Sequence, residues 1–208
     1  MTHTLHRRGK PEDLHEDYVL LAMQARGVNR EGCEEKMGQV WEVLSHYEAD
    51  LTNFGNMTDG NSHTTSMDVL KRTTWHMAHA VFKDRETLKA CLKEFKERDL
   101  GISVVISGLY EETEKICSEI GLSPHTVEHS LGVFGKTELL PEENVLEITT
   151  MCGHALVSPS LVIQMIDDIN EGRRTYEEAA EELSKMCDCG IFNLYRAEKL
   201  LRKMISEA

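Results

Sequence analysis

No stretch of this sequence approaches the roughly 18 consecutive apolar residues that would cross a bilayer, so a transmembrane helix is excluded. The opening Met1-Thr-His-Thr-Leu-His-Arg-Arg lacks the apolar core of a signal peptide, and the expectation is a cytoplasmic protein. Basic residues are also in short supply: 23 Lys and Arg stand against 36 Asp and Glu, a net charge of −13. Such a surface is repelled by phosphate backbones and by anionic lipid, so neither nucleic acid nor a membrane is an expected partner. Six cysteines in 208 residues are too dilute for a disulfide-stapled scaffold, and a reducing compartment keeps them as thiols or metal thiolates. No Gly-x-Ser-x-Gly, Walker, Rossmann or His-Glu-x-x-His pattern occurs, which removes the commoner hydrolase, nucleotide and zincin mechanisms.

What is present is an ordinary globular composition, 40% hydrophobic and 28% charged, in a chain long enough for one large domain or two small ones. After Pro11, residues Leu14, Tyr18, Leu21, Ala22 and Ala25 share a helical face; a second helix from Glu34 carries Met37, Val40, Trp41 and Leu44. Residues 51–68 are rich in turn formers and read as a long loop, either a connector or a substrate lid. His76 to Phe82 and Ile102 to Ser107 read as strands joined by a helix over Arg85 to Arg98, a right-handed βαβ unit, with a further helix over Glu111 to Ile120. Thr126 to Phe134 and Val145 to Thr150 read as two more strands. Ser158-Pro159 and the capping box Thr175-Tyr-Glu-Glu178 open two helices, and Asn193 caps a third.

The expected fold is α+β, or α/β, with about four strands and flanking helices. Residues 1–50 form an N-terminal helical pair, 51–75 a loop, and 76–208 a core ending in a three-helix section, all in one compact domain.

Two turns carry the chemistry. Met151-Cys-Gly-His154 and Cys187-Asp-Cys-Gly190 bring three thiols and an imidazole to element ends, and their convergence would offer four soft ligands. Cys152, following what reads as the last strand, sits where α/β proteins hold ligands. Neither turn has the two-to-four-residue spacing usual for paired zinc ligands, and three thiols fall short of the four of a ferredoxin. A 4Fe-4S cluster held by Cys152, Cys187 and Cys189 would leave one iron for His154 or for a substrate, so an iron–sulfur cluster leads and zinc is the alternative. Without a metal, Cys152 at a helix N-terminus becomes a candidate nucleophile with a histidine as its base. Cys91 and Cys117 lie on apolar helix faces and read as core, while Cys33 has no partner.

Of the ten histidines, His125 and His129 share a face in helix or strand alike and join His154 as candidate acid–base groups, the alternative being histidines satisfied by backbone carbonyls. The segment His3-Thr-Leu-His6-Arg7-Arg8 either frays or folds back to bind an anion. The reading is a metal- or iron–sulfur-binding protein acting on a small-molecule substrate or on a redox partner protein, compatible with a homo-oligomer. A non-catalytic accessory module, docking through its C-terminal helices and keeping reduced structural cysteines, is the alternative.

Overall fold

The computed structural model describes residues 4–206; His3 lies outside them. Five strands make one antiparallel sheet: β1 Tyr18–Met23, β2 Leu51–Asn56, β3 Gly60–Asn61, β4 Met77–Phe82 and β5 Ser103–Ser107, in the order β3-β2-β4-β1-β5. Helix α2 (Cys33–Ser45) links β1 to β2 with β4 inserted between them, and α4 (Arg85–Arg98) links β4 to β5 with β1 inserted. The result is a split β-α-β unit used twice. The expected pair of neighbouring parallel strands is thereby corrected: β4 and β5 are parallel but never touch. The fold class is α+β, with five strands.

Side chains alternate across the two central strands. Tyr18, Leu20, Ala22, Ala78, Ala80 and Phe82 enter one core with α2 and α4, where Met37, Trp41, Leu88 and Phe95 are buried. Val19 and Val81 point to the opposite face and join a second core. That second layer is helical: α6 Glu143–Thr149, α7 Pro159–Asn170, α8 Tyr176–Lys185 and α9 Leu194–Ser206. Remaining helices are α1 Pro11–Leu14, α3 Met67–Leu70 and α5 Tyr110–Glu119.

Capping chemistry behaves as its residues require. Ser158 accepts from Leu161 N–H, Thr175 and Glu178 complete a capping box, and Asn193 Oδ1 accepts from Arg196 N–H. Other expectations are corrected. The first predicted helix is mostly strand β1, because a central strand covered on both faces is apolar throughout and matches helical spacing by accident. Residues 51–61 are the β2–β3 hairpin rather than a loop. Val145 to Thr150 lies in α6 and the turn of its C-cap: Val145, Leu146, Ile148 and Thr149 bury one helical side despite their β-branched character. Thr126 to Phe134 is irregular and exposed, with Gly132 and Gly135 at φ 102° and 94°.

Candidate functional site

Cys152 stands two residues beyond the α6 C-cap, Thr150, so it follows a helix and not a strand. Its turn is tight: Ala155 N–H bonds Cys152 O at 3.0 Å, and Ala155 itself adopts φ 57°, a left-handed conformation that an L side chain rarely takes. Wound this way, the turn brings the backbone N–H groups of His154 and Leu156 near enough to the Cys152 sulfur to favour its thiolate.

The second turn follows α8. Cys187 N–H bonds Ser184 O and Gly190 N–H bonds Cys187 O, each at 3.0 Å, and Ile191 N–H serves the sulfurs of both Cys187 and Cys189. Gly190 is required twice over. Its φ is 74°, and a Cβ there would stand 2.3 Å from the Phe54 carbonyl and 2.7 Å from Gly55 N. The turn therefore lies directly against strand β2.

Polar side chains of the β2–β3 hairpin hold that turn in place. Asn61 Nδ2 donates to the carbonyls of Ser184, Lys185 and Cys187 at 3.5, 3.3 and 3.1 Å, collecting the orphan acceptors at the end of α8. Asn53 Nδ2 donates to Ser184 Oγ and to Phe192 O, both at 3.0 Å.

The N-terminal arm joins the two turns. Arg7 donates through Nη2 to Met151 O at 3.1 Å and to Ile191 O, one carbonyl from each cysteine turn. Its Nη1 grips both oxygens of Asp17 at 2.6 and 2.7 Å. Asp17 also accepts from Arg196 Nη1 and Asn193 Nδ2, each at 3.0 Å. Side-chain exposures of 6%, 0% and 1% for Arg7, Asp17 and Arg196 make this a buried triad of two cations and one anion. Gly9 completes it, since a Cβ there would meet Arg196 Nη2 at 2.2 Å.

The three thiols thus come together, each at most 2% exposed. Cys187 sits between the other two, within side-chain hydrogen-bond reach of both. Contact with Cys187, then burial, pushes the Cys152 thiol well up. The hydrogen bond from Cys152 lowers Cys187, but its own bond to Cys189 and burial carry it up to about 12. Cys189 is held below the usual thiol range, first by Cys187, with Ile191 N–H assisting against burial. Cys189 is thereby the one thiol of the three that its surroundings shift toward the thiolate. His154 Nδ1 lies 3.6 Å from Cys189 Sγ, and this exposed ring stands between the sulfurs and solvent.

Other residues singled out in the sequence are placed elsewhere. His125 and His129 sit on the exposed 122–136 segment, in contact with Thr126 and the Tyr110 ring. Arg7 and Arg8 do fold back, but onto the chain's own Asp17 and Glu143, so no anion is needed to hold them. Cys91 is fully buried in the first core, where burial raises its thiol; Cys117 is partly exposed. Among the described residues, no group of three or more His, Cys, Asp or Glu is arranged as a ready-made ion site.

The sequence reading missed Asp17, Arg196, Asn53, Asn61 and the clamp formed by Arg7. One cue was present: Arg196 falls beside Ala197 on the stripe completed by Leu200 and Leu201, an arginine on a buried face that calls for a carboxylate. Comparison with protein-family models, curated proteins and solved structures returns no match. No described helix is long and apolar enough to cross a membrane.

Proposed function

We propose that Cys152, Cys187 and Cys189 hold one soft metal centre in a cytoplasmic protein, an iron–sulfur cluster before a single zinc ion, with His154 as fourth ligand or adjacent acid–base group. The observation that carries this reading is the convergence of three buried sulfurs with the N–H groups of His154, Leu156 and Ile191 close to them. Amides directed at sulfur favour thiolate over thiol and tune thiolate-bound centres. Arg7, in the buried triad with Asp17 and Arg196, ties a carbonyl of each cysteine turn to the same anchor. Three neighbouring thiolates repel one another unless a cation joins them, and a coordinated thiol is deprotonated outright. As they stand the thiols lie against one another, so loading requires their side chains to rotate outward.

The chemistry we assign is redox or small-molecule transformation at that centre. A groove of about 680 Å³ lies between the N-terminal arm and residues 130–143, but none of Cys152, His154, Cys187 and Cys189 lines it. A second reading is metal-free thiol chemistry: Cys189 is the one depressed thiol and has an imidazole 3.6 Å away. The sulfurs' near-complete burial weighs against it, because a nucleophile must reach its substrate. The docking alternative is weakened too, as the apolar stripes of α7, α8 and α9 face the second core.

Anaerobic purification separates these readings. A cluster gives brown protein absorbing near 400 nm, roughly where thiolate-to-iron charge transfer falls, and Cys152→Ser, Cys187→Ser and Cys189→Ser each lose the colour and the metal. A colourless, metal-free protein that retains full thiol reactivity would refute the metal reading and leave the thiol one.

A further inference from the structure

The sheet's free edge points to a partner. Strand β5 pairs with β1 along one side only, and among the described residues no other backbone hydrogen bond engages 103–107. All five of its residues are partly exposed, whereas β1 and β4 are each buried at five of six positions. Natural sheets protect such an edge with a charge, a proline, a bulge or a covering element. Here no charged residue and no proline occurs from Leu100 to Tyr110 in a chain that is 28% charged.

We propose that β5 is the contact between two copies of this chain, paired antiparallel across a twofold axis at Val105. The order Ser103-Val-Val-Ile-Ser107 has the same pattern in both directions, serine at each end and β-branched apolar residues between, differing only in Val104 against Ile106. Centred on Val105, the pairing sets Ser103 of one copy opposite Ser107 of the other, Val104 opposite Ile106, and Val105 opposite its own equivalent. Every cross-strand pair then matches in size and polarity. A shift of two residues would set valine against serine and glycine. Val104 and Ile106 pack on the first core, so their pairing continues its apolar layer into the second copy.

Charge selects the same surface. Two chains of net charge −13 repel, and association is least opposed where no like charges face each other. The β5 edge meets that condition, and a closed twofold contact leaves no further edge of this kind to propagate.

Sedimentation velocity on the full chain over a dilution series tests this. Wild type is expected to move from dimer to monomer on dilution. Val105→Lys and Val105→Glu each set like charges opposite at the axis and are expected to be monomeric where wild type is dimeric. Their equimolar mixture is expected to regain the dimer, because one lysine then faces one glutamate. Wild type that is monomeric at every concentration, or a dimer that survives in both variants, overturns the proposal; the first outcome would reserve the edge for a strand from a different protein. Should either charged variant fail to fold, Val105→Cys with a short bis-maleimide is expected to cross-link into a dimer beyond the wild-type background set by Cys117. Absence of that cross-link also overturns it.

Discussion

Asp17→Asn is expected to lower stability by about 3–5 kcal/mol, the usual consequence of removing one partner from a buried ion pair. The carboxylate is fully enclosed and, among the described residues, is the anion that pairs with both Arg7 and Arg196. An amide in its place leaves two guanidinium groups buried with one neutral acceptor between them. In urea the unfolding midpoint should fall while the slope stays constant, since the exposed surface is unchanged. Acid sensitivity should change as well. Burial pushes the Asp17 carboxyl up, but Arg7 and Arg196 outweigh it and hold the carboxyl below the ordinary range. A depressed carboxylate contributes stability above the unfolded value of about 3.9 and loses it as pH falls through the folded value. Wild type should therefore lose stability more steeply below pH ~4 than Asp17→Asn does. An equal slope in the two proteins would show that the triad does not carry this charge coupling.

Gly190→Ala should do comparable damage for a different reason. The new methyl would need a left-handed backbone at φ 74° and would stand 2.3 Å from the backbone of Phe54. Neither contact partner is a flexible side chain end, so strand and turn must move apart. Overpacking of this kind costs about 1–3 kcal/mol, with the unfavourable backbone conformation adding roughly 1–2 kcal/mol. The displaced turn carries Cys187 and Cys189, so the centre should weaken together with the fold. Thermal unfolding and metal content measured on the same sample report both effects. Loss of stability with metal content intact would mean that the turn's seat on β2 does not position the sulfurs.

These residues also show what could be read from the chain and what could not. Cys152, His154, Cys187 and Cys189 stood out because soft ligands at turns flanked by glycine are uncommon, but nothing in the sequence shows that the two turns meet. Helices α4, α7 and α8 were legible because amphipathic spacing and caps agreed. The hairpin of β2 and β3 was not: its inward side chains are Asn53 and Asn61, which bury themselves by binding carbonyls of the α8 end, and buried polarity looks like loop polarity. Strand β1 was hidden because both of its faces are covered. The Arg7 clamp was hidden because it links residues 144 and 184 positions apart, a separation no local pattern records.

That clamp gives the site its coherence. Asp17 precedes the central strand, Arg196 belongs to the last helix and Arg7 to the N-terminal arm, and together they tie the two cysteine turns to the middle of the sheet. Support from such widely separated parts of the chain fixes the backbone of both turns, while the thiol side chains they carry would still have to turn to take a metal.

The most direct test is X-ray absorption at the metal edge of anaerobically isolated protein. A sulfur shell at about 2.3 Å is expected, with a weaker nitrogen contribution that disappears in His154→Ala. In Cys152→Ser, Cys187→Ser and Cys189→Ser the sulfur shell should be lost or reduced. A shell made only of nitrogen and oxygen, or no metal bound at all, would contradict the proposed centre.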